Sequence, residues 1–122
     1  HSPPDYPDFP HATSESPAFI PAKEYFDEPG DHADELETSV MMHYHPELVN
    51  LDEAGDGNYK KFASQMLNEK VAWIPRNWQN VSQDTGIGNP KKASAGKGKK
   101  YAEAVVAKYA LLFEELVHKE LY

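Results

Sequence analysis

The sequence predicts a small α/β domain that follows an irregular, proline-rich arm. Three features lead to this prediction: a helix-forming segment at residues 33–45, a strand-like segment at residues 71–75, and a long amphipathic segment near the C-terminus. With 122 residues, the chain is long enough for one modest hydrophobic core. We therefore expect an extended arm over residues 1–22 and one folded unit over residues 23–122.

The N-terminal arm is distinguished by its prolines. Six of the ten prolines lie within the first 21 residues, and each one fixes φ and lacks a backbone N–H donor. An extended or disordered segment is therefore expected. A second interpretation is an arm that a partner subunit orders. A docking motif for proline-binding modules is less favoured, because no PxxP context is convincing.

The composition limits the classes of partner. The formal net charge is −8, from 20 acidic and 12 basic residues, which argues against nucleic acids and anionic membranes because both attract clustered Lys and Arg. The lack of cysteine excludes disulfides and thiolate metal sites. Neither a bilayer-crossing run nor a signal-peptide pattern is found, so a cytoplasmic protein is expected.

Because the chain begins with His1 rather than Met, we consider a processed or truncated product, although tag removal leaves the same end.

The segment after Pro29-Gly30 predicts a helix over residues 33–45. Asp31 is a suitable N-cap, and the acids that follow it complement the helix dipole. Pro46 is expected to end or kink this helix. Apolar residues recur within it at helical spacing, at Leu36, Val40 and Tyr44.

Shorter elements are predicted downstream. Residues 52–58 form an acidic loop, in which calcium is disfavoured because the ligand spacing and the closing Glu of a helix-loop-helix site are missing. Residues 59–69 are expected to be a helical or irregular connector. Residues 71–75 predict a strand that ends at Pro75, and Val81 begins another extended piece.

The C-terminal segment gives the clearest helix prediction. A glycine loop at residues 84–90 and a lysine-rich stretch at residues 91–100 lead into it. One face of the segment is apolar at helical spacing and is expected to pack in the core. This stripe consists of Val105, Tyr109, Leu112, Phe113, Leu116 and Val117.

Five side chains that can ligate a metal or move a proton lie close together before and within the first predicted helix. They are Asp31, His32, Asp34, Glu35 and Glu37. Carboxylates and imidazoles are the ligands that hydrolytic Zn²⁺ and Mn²⁺ centres use. Residues five apart on a regular helix point roughly 140° apart, so His32 and Glu37 can converge only if His32 precedes the helix. The alternative is structural, since acids at a helix start usually cap it.

Two motifs resemble the signature of the creatininase (creatinine amidohydrolase) family. HADELETS and VMMHYHPELV, which begin at His32, are similar to HAGxxETS-x-ML-x-x-x-P-x-x-V. DTGIGNPKKASAGKGKKY, which begins at Asp84, looks like the family's glycine-loop segment before its last helix. The resemblance covers about Tyr25 to Leu121 with the motifs in the family's order, which is more specific than either motif alone.

The resemblance implies a three-layer α/β/α fold, of which this chain would form the C-terminal part. It also implies a binuclear centre of Zn or Mn and hydrolysis of a cyclic or linear amide C–N bond by metal-activated water. Under this resemblance His32 is the active-site histidine and moves protons, Asp31 supports it, and Glu37 lies at the metal site. A small-molecule amide substrate and a homo-oligomer, commonly a hexamer, are implied as well.

The sequence departs from the family pattern at several points. Asp34 replaces the commonest Gly, and Glu28 stands where creatininase itself has a tryptophan, which disfavours creatinine as substrate. Trp73 and Trp78 are interpreted as packing or interface residues rather than replacements for it. The early Glu-x-His pair and the central glycine-rich His motif of the longer family members are missing, and the proline-rich head does not look like the family's upstream sequence.

The missing ligands lead to two hypotheses for the chain. In the first, it is a portion of an amidohydrolase that binds catalytic metal weakly alone and regains activity only with a complementary N-terminal chain. In the second, it is a catalytically silent interaction or assembly module that keeps the family's C-terminal layer. An unrelated acidic helical binding domain is a third, less favoured interpretation, because two ordered motifs would have to match by chance.

Overall fold

A computed structural model describes residues 19–122, so residues 1–18 of the predicted arm lie outside the described part of the chain. Four α-helices follow one another in this part: α1 (Glu35–Tyr44), α2 (Gln65–Asn68), α3 (Trp78–Val81) and α4 (Ala95–His118). Single turns of 3-10 helix occur at Ala22–Glu24, Pro46–Leu48 and Leu51–Glu53. None of the described helices is long and apolar enough to cross a membrane.

No β-strand is found within residues 19–122. The strand predicted at residues 71–75 is irregular, and the extended piece predicted at Val81 is the last residue of α3. A strand needs a hydrogen-bonded neighbouring strand, and within residues 19–122 this segment takes part in no β-bridge. Its Val71 and Trp73 accordingly remain 71% and 82% exposed. The strand prediction is therefore wrong for this part of the chain, which is helical.

Helix α1 begins two residues later than predicted, and its N-cap is Asp34 rather than Asp31. The Asp34 carboxylate accepts a hydrogen bond from the Glu37 N–H at 2.9 Å, as an N-cap does. Ala33 has a φ of 49°, in the left-handed region, which breaks the helical path directly before the cap. Asp31 and His32 are therefore kept outside the helix.

Helices α1 and α4 pack closely where Gly98 meets Ser39. A Cβ atom on Gly98 would lie 1.9 Å from the Ser39 carbonyl oxygen, so only glycine allows this approach. Ser39 is fully buried, and its Oγ accepts a hydrogen bond from the Ser94 N–H at 3.1 Å. Ser94 is the N-cap of α4 and accepts from the Lys97 N–H at 3.2 Å. The start of α4 is thereby fixed against the middle of α1.

The hydrophobic core lies beside the first half of α4 only. Its buried members are Ile20, Phe26, Leu36 and Tyr101. Val105, the first residue of the predicted stripe, packs against this core, but Tyr109, Phe113 and Val117 are 42%, 61% and 76% exposed. The core prediction is therefore wrong for the second half of the stripe, because helical periodicity identifies an apolar face without saying what covers it. The exposed α4 stripe consists of Tyr109, Leu112, Phe113, Leu116 and Val117.

The glycine contact predicts opposite effects of alanine at two positions of α4. Gly98→Ala should lower the free energy of unfolding by about 1–3 kcal/mol, because the new methyl group overlaps the Ser39 backbone. Gly96→Ala is the matched control, since nothing lies within 4 Å of its Cβ position, and it should stabilise the protein by up to about 1 kcal/mol through helix propensity. Urea unfolding measures both values, and an unchanged Gly98→Ala protein would contradict the close packing.

Candidate functional site

The two sequence motifs meet at a short antiparallel bridge between His32 and Ile87. The N–H groups of Asp31 and His32 both donate to the Ile87 carbonyl, at 2.8 and 3.0 Å, and the Ile87 N–H donates to the His32 carbonyl at 2.8 Å. The glycine loop, residues 84–90, is thereby held against the segment that precedes α1. The motifs are distant in sequence, but they form one unit in space.

Glycine is required where these segments cross. A Cβ atom on Gly30 would lie 2.7 Å from the Gly88 Cα and 2.7 Å from the Ile87 carbonyl oxygen. Gly88 also has a φ of 122°, which side-chain-bearing residues rarely adopt. Asp34 completes the crossing, because its fully buried carboxylate accepts from the Gly30 N–H at 2.6 Å as well as capping α1. Asp34, which stands where the family pattern most often has glycine, thus has a structural function here.

His32 lies in the segment before α1, which was the condition for it to approach Glu37. Its Nδ1 lies 3.5 Å from the Glu37 Oε2. The two side chains are 43% and 19% exposed, so the pair is open to solvent on the imidazole side. The Glu37 Oε2 also accepts from the Ala33 N–H at 2.5 Å, which orients the carboxylate. This arrangement offers one imidazole nitrogen and one carboxylate oxygen to a ligand or a cation.

Asp31, the other predicted catalytic residue, is paired with an arginine side chain. Its carboxylate forms an ion pair with the Arg76 guanidinium. The same guanidinium lies 5.5 Å from the ring centre of Trp78, and this indole contacts the His32 imidazole with ring centres 5.0 Å apart. Sequence reasoning missed Arg76 and did not assign Trp78 to the site. No motif marks their segment, and only the fold brings it to His32.

Glu35 has a structural environment. It is fully buried and accepts hydrogen bonds from the Lys97 ammonium at 2.6 Å and from the Asp27 and Glu28 N–H groups at 3.2 and 2.6 Å. Lys97 also donates to the Asp27 carboxylate at 2.9 Å. The hydrogen bond from Lys97 lowers the pKa of Asp27, and the bonds to Glu35 and Asp27 raise the pKa of Lys97. This cluster connects the start of α1 to α4. None of its described contacts reaches the His32–Glu37 pair.

Glu37 also lines a cavity of about 370 Å³. The charged residues of the lining are Glu37 and Asp84, and Asp84 is oriented by the Ser82 hydroxyl at 3.2 Å and the Gly86 N–H at 3.0 Å. Within residues 19–122, no basic side chain lines this cavity. Its other walls combine glycines with apolar side chains, among them Gly55, Gly57, Gly88, Met41, Leu48 and Leu51. A small neutral or cationic molecule fits this volume and charge better than an anion.

The described residues do not complete a metal site on their own. A catalytic Zn²⁺ centre uses three protein ligands and a tetrahedral arrangement. His32 and Glu37 bring two donors together, but no group of three or more His, Cys, Asp or Glu side chains in residues 19–122 is placed to hold an ion. The residues present therefore do not fit a full catalytic centre.

An imidazole–carboxylate pair held beside a glycine-walled cavity defines a candidate hydrolase site. Residues 9–113 match the sequence model of the creatininases, which is described as creatinine amidohydrolase, and the chain belongs to this family. A solved structure from Bacteroides fragilis NCTC 9343, described as a candidate creatinine amidohydrolase, superposes with a TM-score of 0.79 at 59% sequence identity. The superposition covers 84% of this chain. No curated protein matches the sequence.

The chain spans 41% of the length of the Bacteroides fragilis protein. The family match begins at residue 9, so part of the segment interpreted as an arm resembles the family, contrary to our expectation for the proline-rich head. It ends at residue 113, before the predicted limit at Leu121. Membership of this family implies an α/β fold, to which residues 19–122 contribute helices.

Because Glu35 is buried, removing the Lys97 ammonium that pairs with it should have a large effect on stability. Lys97→Met should lower the free energy of unfolding by about 2 kcal/mol, because it leaves a buried carboxylate without its ionic partner while Lys97 itself is 29% exposed. Lys99→Met is the control: its i,i+4 pair with Glu103 is exposed and 3.9 Å long, so the change should stay within about 0.5 kcal/mol. Equal effects of the two variants in urea unfolding would contradict the assignment.

The same cluster predicts how stability depends on pH. The pKa of Asp27 is below its ordinary 3.8 in the folded state, so its contribution is present above pH 3.8 and is lost as the pH falls through the folded value. The pKa of Lys97 is above its ordinary 10.5, so its contribution is complete below pH 10.5 and is lost as the pH rises through the folded value. The stability difference between wild type and Lys97→Met, measured by urea unfolding across pH, should therefore shrink at both extremes. A difference that is constant across pH would show that the ion pairs do not cause it.

Proposed function

We propose that the chain is a C-terminal portion of a metal-dependent amidohydrolase of the creatininase family, which hydrolyses a cyclic or linear amide C–N bond. The observation that carries the proposal is the His32–Glu37 pair, 3.5 Å apart within the family signature. The neighbouring 370 Å³ cavity supports it, since Glu37 belongs to both. The size of the cavity favours a small amide as substrate.

The side chains of this portion have separate roles in the proposal. His32, which is partly exposed, exchanges a proton with the amide nitrogen or with the attacking water. Glu37 lies beside the imidazole and would contribute a carboxylate to a metal site. Asp31 is a supporting residue, because its carboxylate is taken up by Arg76.

The metal is the incomplete part of the proposed site. A divalent ion such as Zn²⁺ or Mn²⁺, if bound there, would supply an activated water and would polarise the amide carbonyl. Since residues 19–122 hold no group of three candidate ligands, the remaining ligands would come from polypeptide outside them. A complementary N-terminal portion or a neighbouring copy in a homo-oligomer could supply these ligands. The hexameric state and the cytoplasmic location remain predictions.

A second candidate function is an assembly module without catalysis. The exposed α4 stripe favours it, because Phe113, Leu116 and Val117 present a continuous apolar face that the described chain leaves uncovered. More than half of the Bacteroides fragilis protein lies beyond the match, which is the kind of polypeptide such a face would bind. Both candidate functions require that further polypeptide binds this chain. They differ in whether the assembled protein hydrolyses an amide with His32 and Glu37.

The proposal predicts weak metal binding and little activity for the isolated chain. Elemental analysis of the purified chain, incubated with Zn²⁺ or Mn²⁺ and dialysed, should show much less than one ion per chain. Assays with creatinine and a panel of linear and cyclic amides should show no turnover until a chain equivalent to the unmatched portion of the Bacteroides fragilis protein is added. In the assembled protein, His32→Ala or Glu37→Gln should lower kcat/KM by at least about 100-fold.

A matched control exists in the His45–Glu47 pair. Its Nδ1–Oε1 distance is 3.2 Å, similar to that of the candidate pair, but both side chains are at least 60% exposed and neither lines the cavity. His45→Ala and Glu47→Gln should leave kcat/KM within about twofold, since solvated pairs contribute little. Stoichiometric metal and turnover in the isolated chain would refute the prediction. Assembly without turnover would support the silent module.

A further inference from the structure

A second cavity, which we call the polar groove, adjoins the cavity of the candidate site. It has a volume of about 550 Å³, and its lining comes from two segments, residues 55–60 and residues 79–84. Gly55 and Asp84 line both cavities and therefore form a wall that the two share. The two segments are distant in sequence, and the family signature contains neither of the walls they form.

Backbone contacts fix the walls of the polar groove. The Lys60 N–H donates to the Val81 carbonyl at 2.7 Å, which joins one wall to the other. Within the first wall, the Asp56 carboxylate accepts from the Asn58 N–H at 2.9 Å and from the Asn58 side-chain amide at 2.7 Å. Each oxygen of Asp56 thus already has a donor from the wall itself, so this residue shapes the groove.

Carboxamides dominate the polar lining of this groove. They belong to Asn58, Gln79, Asn80 and Gln83. Within residues 19–122, the side chains of the last three form no hydrogen bond, and all three are exposed. Each carboxamide offers both a donor and an acceptor. Hydroxyl groups on neighbouring carbon atoms have the same dual capacity, so they match this lining better than a ligand that only donates or only accepts.

The charge and the aromatic side chain of the groove narrow the ligand further. Two carboxylates and one ammonium line it, from Asp56, Asp84 and Lys60, so the local charge is negative and disfavours phosphorylated or carboxylated ligands. Tyr59 also belongs to the lining and is 49% exposed. Its ring offers an apolar face on which the C–H groups of a saturated ring can pack. A neutral, hydroxylated ring satisfies both conditions.

We propose that the polar groove is a binding site for a neutral polyhydroxylated ring, such as a monosaccharide. The carboxamides of Gln79, Asn80 and Gln83 exchange hydrogen bonds with its hydroxyl groups, and Tyr59 packs against its carbon face. The ring is either a separate ligand or a substituent of an amide that enters the neighbouring cavity past Asp84. Only the second source rests on the proposed function.

Titration of the purified chain tests the site. Methyl glycosides of glucose, galactose and mannose are added while ¹H–¹⁵N NMR spectra are recorded. We expect saturable shifts at residues 55–60 and 79–84 with at least one glycoside, at a Kd of about 1–10 mM for a ligand of this size. Tetrahydropyran, the same ring without hydroxyl groups, should give no saturable shift. Methyl β-D-glucuronide, which adds a carboxylate, should bind more weakly than the glucoside.

Variants of the lining then test the assigned contacts. Gln79→Ala and Gln83→Ala should each raise the Kd about two- to tenfold, the range that one hydrogen bond is worth. Tyr59→Ala should raise it by a similar factor. Gln65→Ala and Tyr122→Ala are the matched controls, since neither residue lines the groove, and they should leave the Kd unchanged. All five side chains are exposed, so the variants should keep the circular dichroism of the wild type. If Tyr59→Ala does not, Tyr59→Leu decides the same point.

A glycosylamide distinguishes the two sources of the ring. N-acetyl-β-D-glucopyranosylamine carries an amide on the ring of the methyl glucoside. Tighter binding than that of the glucoside, with additional shifts at Gly86 and Gly88 in the neighbouring cavity, identifies a substituent of an amide. Equal affinity, with shifts confined to the groove, identifies a separate ligand.

The outcomes that overturn the proposal are equally specific. Absence of saturable shifts with all three glycosides, or equal shifts with tetrahydropyran, overturns it. Unchanged affinity in the folded Gln79, Gln83 and Tyr59 variants overturns the location in the groove. NMR titration requires neither metal nor turnover, so an assembled protein that fails to hydrolyse amides would leave these results intact. Failure of this inference and failure of the proposed function can therefore be told apart.

Discussion

The backbone bridge between His32 and Ile87 determines where the other site residues can lie. It holds the segment before α1 against the glycine loop, and it is possible only because Gly30 and Gly88 cross without side chains. Once His32 is fixed outside the helix, its imidazole lies beside Glu37, which is in the first turn of α1. The cavity, the imidazole–carboxylate pair and the contact with Trp78 all follow from this crossing of two backbones.

Features that are determined by a short stretch of sequence, such as helix α1 and the family motifs, were predictable. The apolar spacing and Pro46 predicted α1 to within two residues at its start and one at its end, and the resemblance led to the correct family. His32 can approach Glu37 only from outside the helix, and the cap at Asp34 places it there. The prediction of Asp31 as the cap was wrong, because the local sequence signals neither the left-handed φ of Ala33 nor the bridge between His32 and Ile87.

Features that depend on contacts between residues far apart in the sequence were not predictable. Residues 71–75 have the composition of a strand but no neighbouring strand within residues 19–122, so their side chains stay exposed. Arg76 and Trp78 reach the site through Asp31 and His32, which lie more than 40 positions earlier in the sequence. One sequence reveals a periodic face or a motif, but a contact between two unmarked segments requires the fold.

The incomplete ligand set and the exposed apolar surface can have the same cause. His32 and Glu37 provide two donors where a catalytic ion needs more, while the α4 stripe leaves several large apolar side chains in water. Burying that stripe against another polypeptide would be favourable at about 25 cal/mol per Å² of apolar surface, and the same docking could bring the absent ligands to Glu37. The chain spans 41% of its Bacteroides fragilis relative, and under the proposed function an equivalent of the rest of that relative would account for both features together.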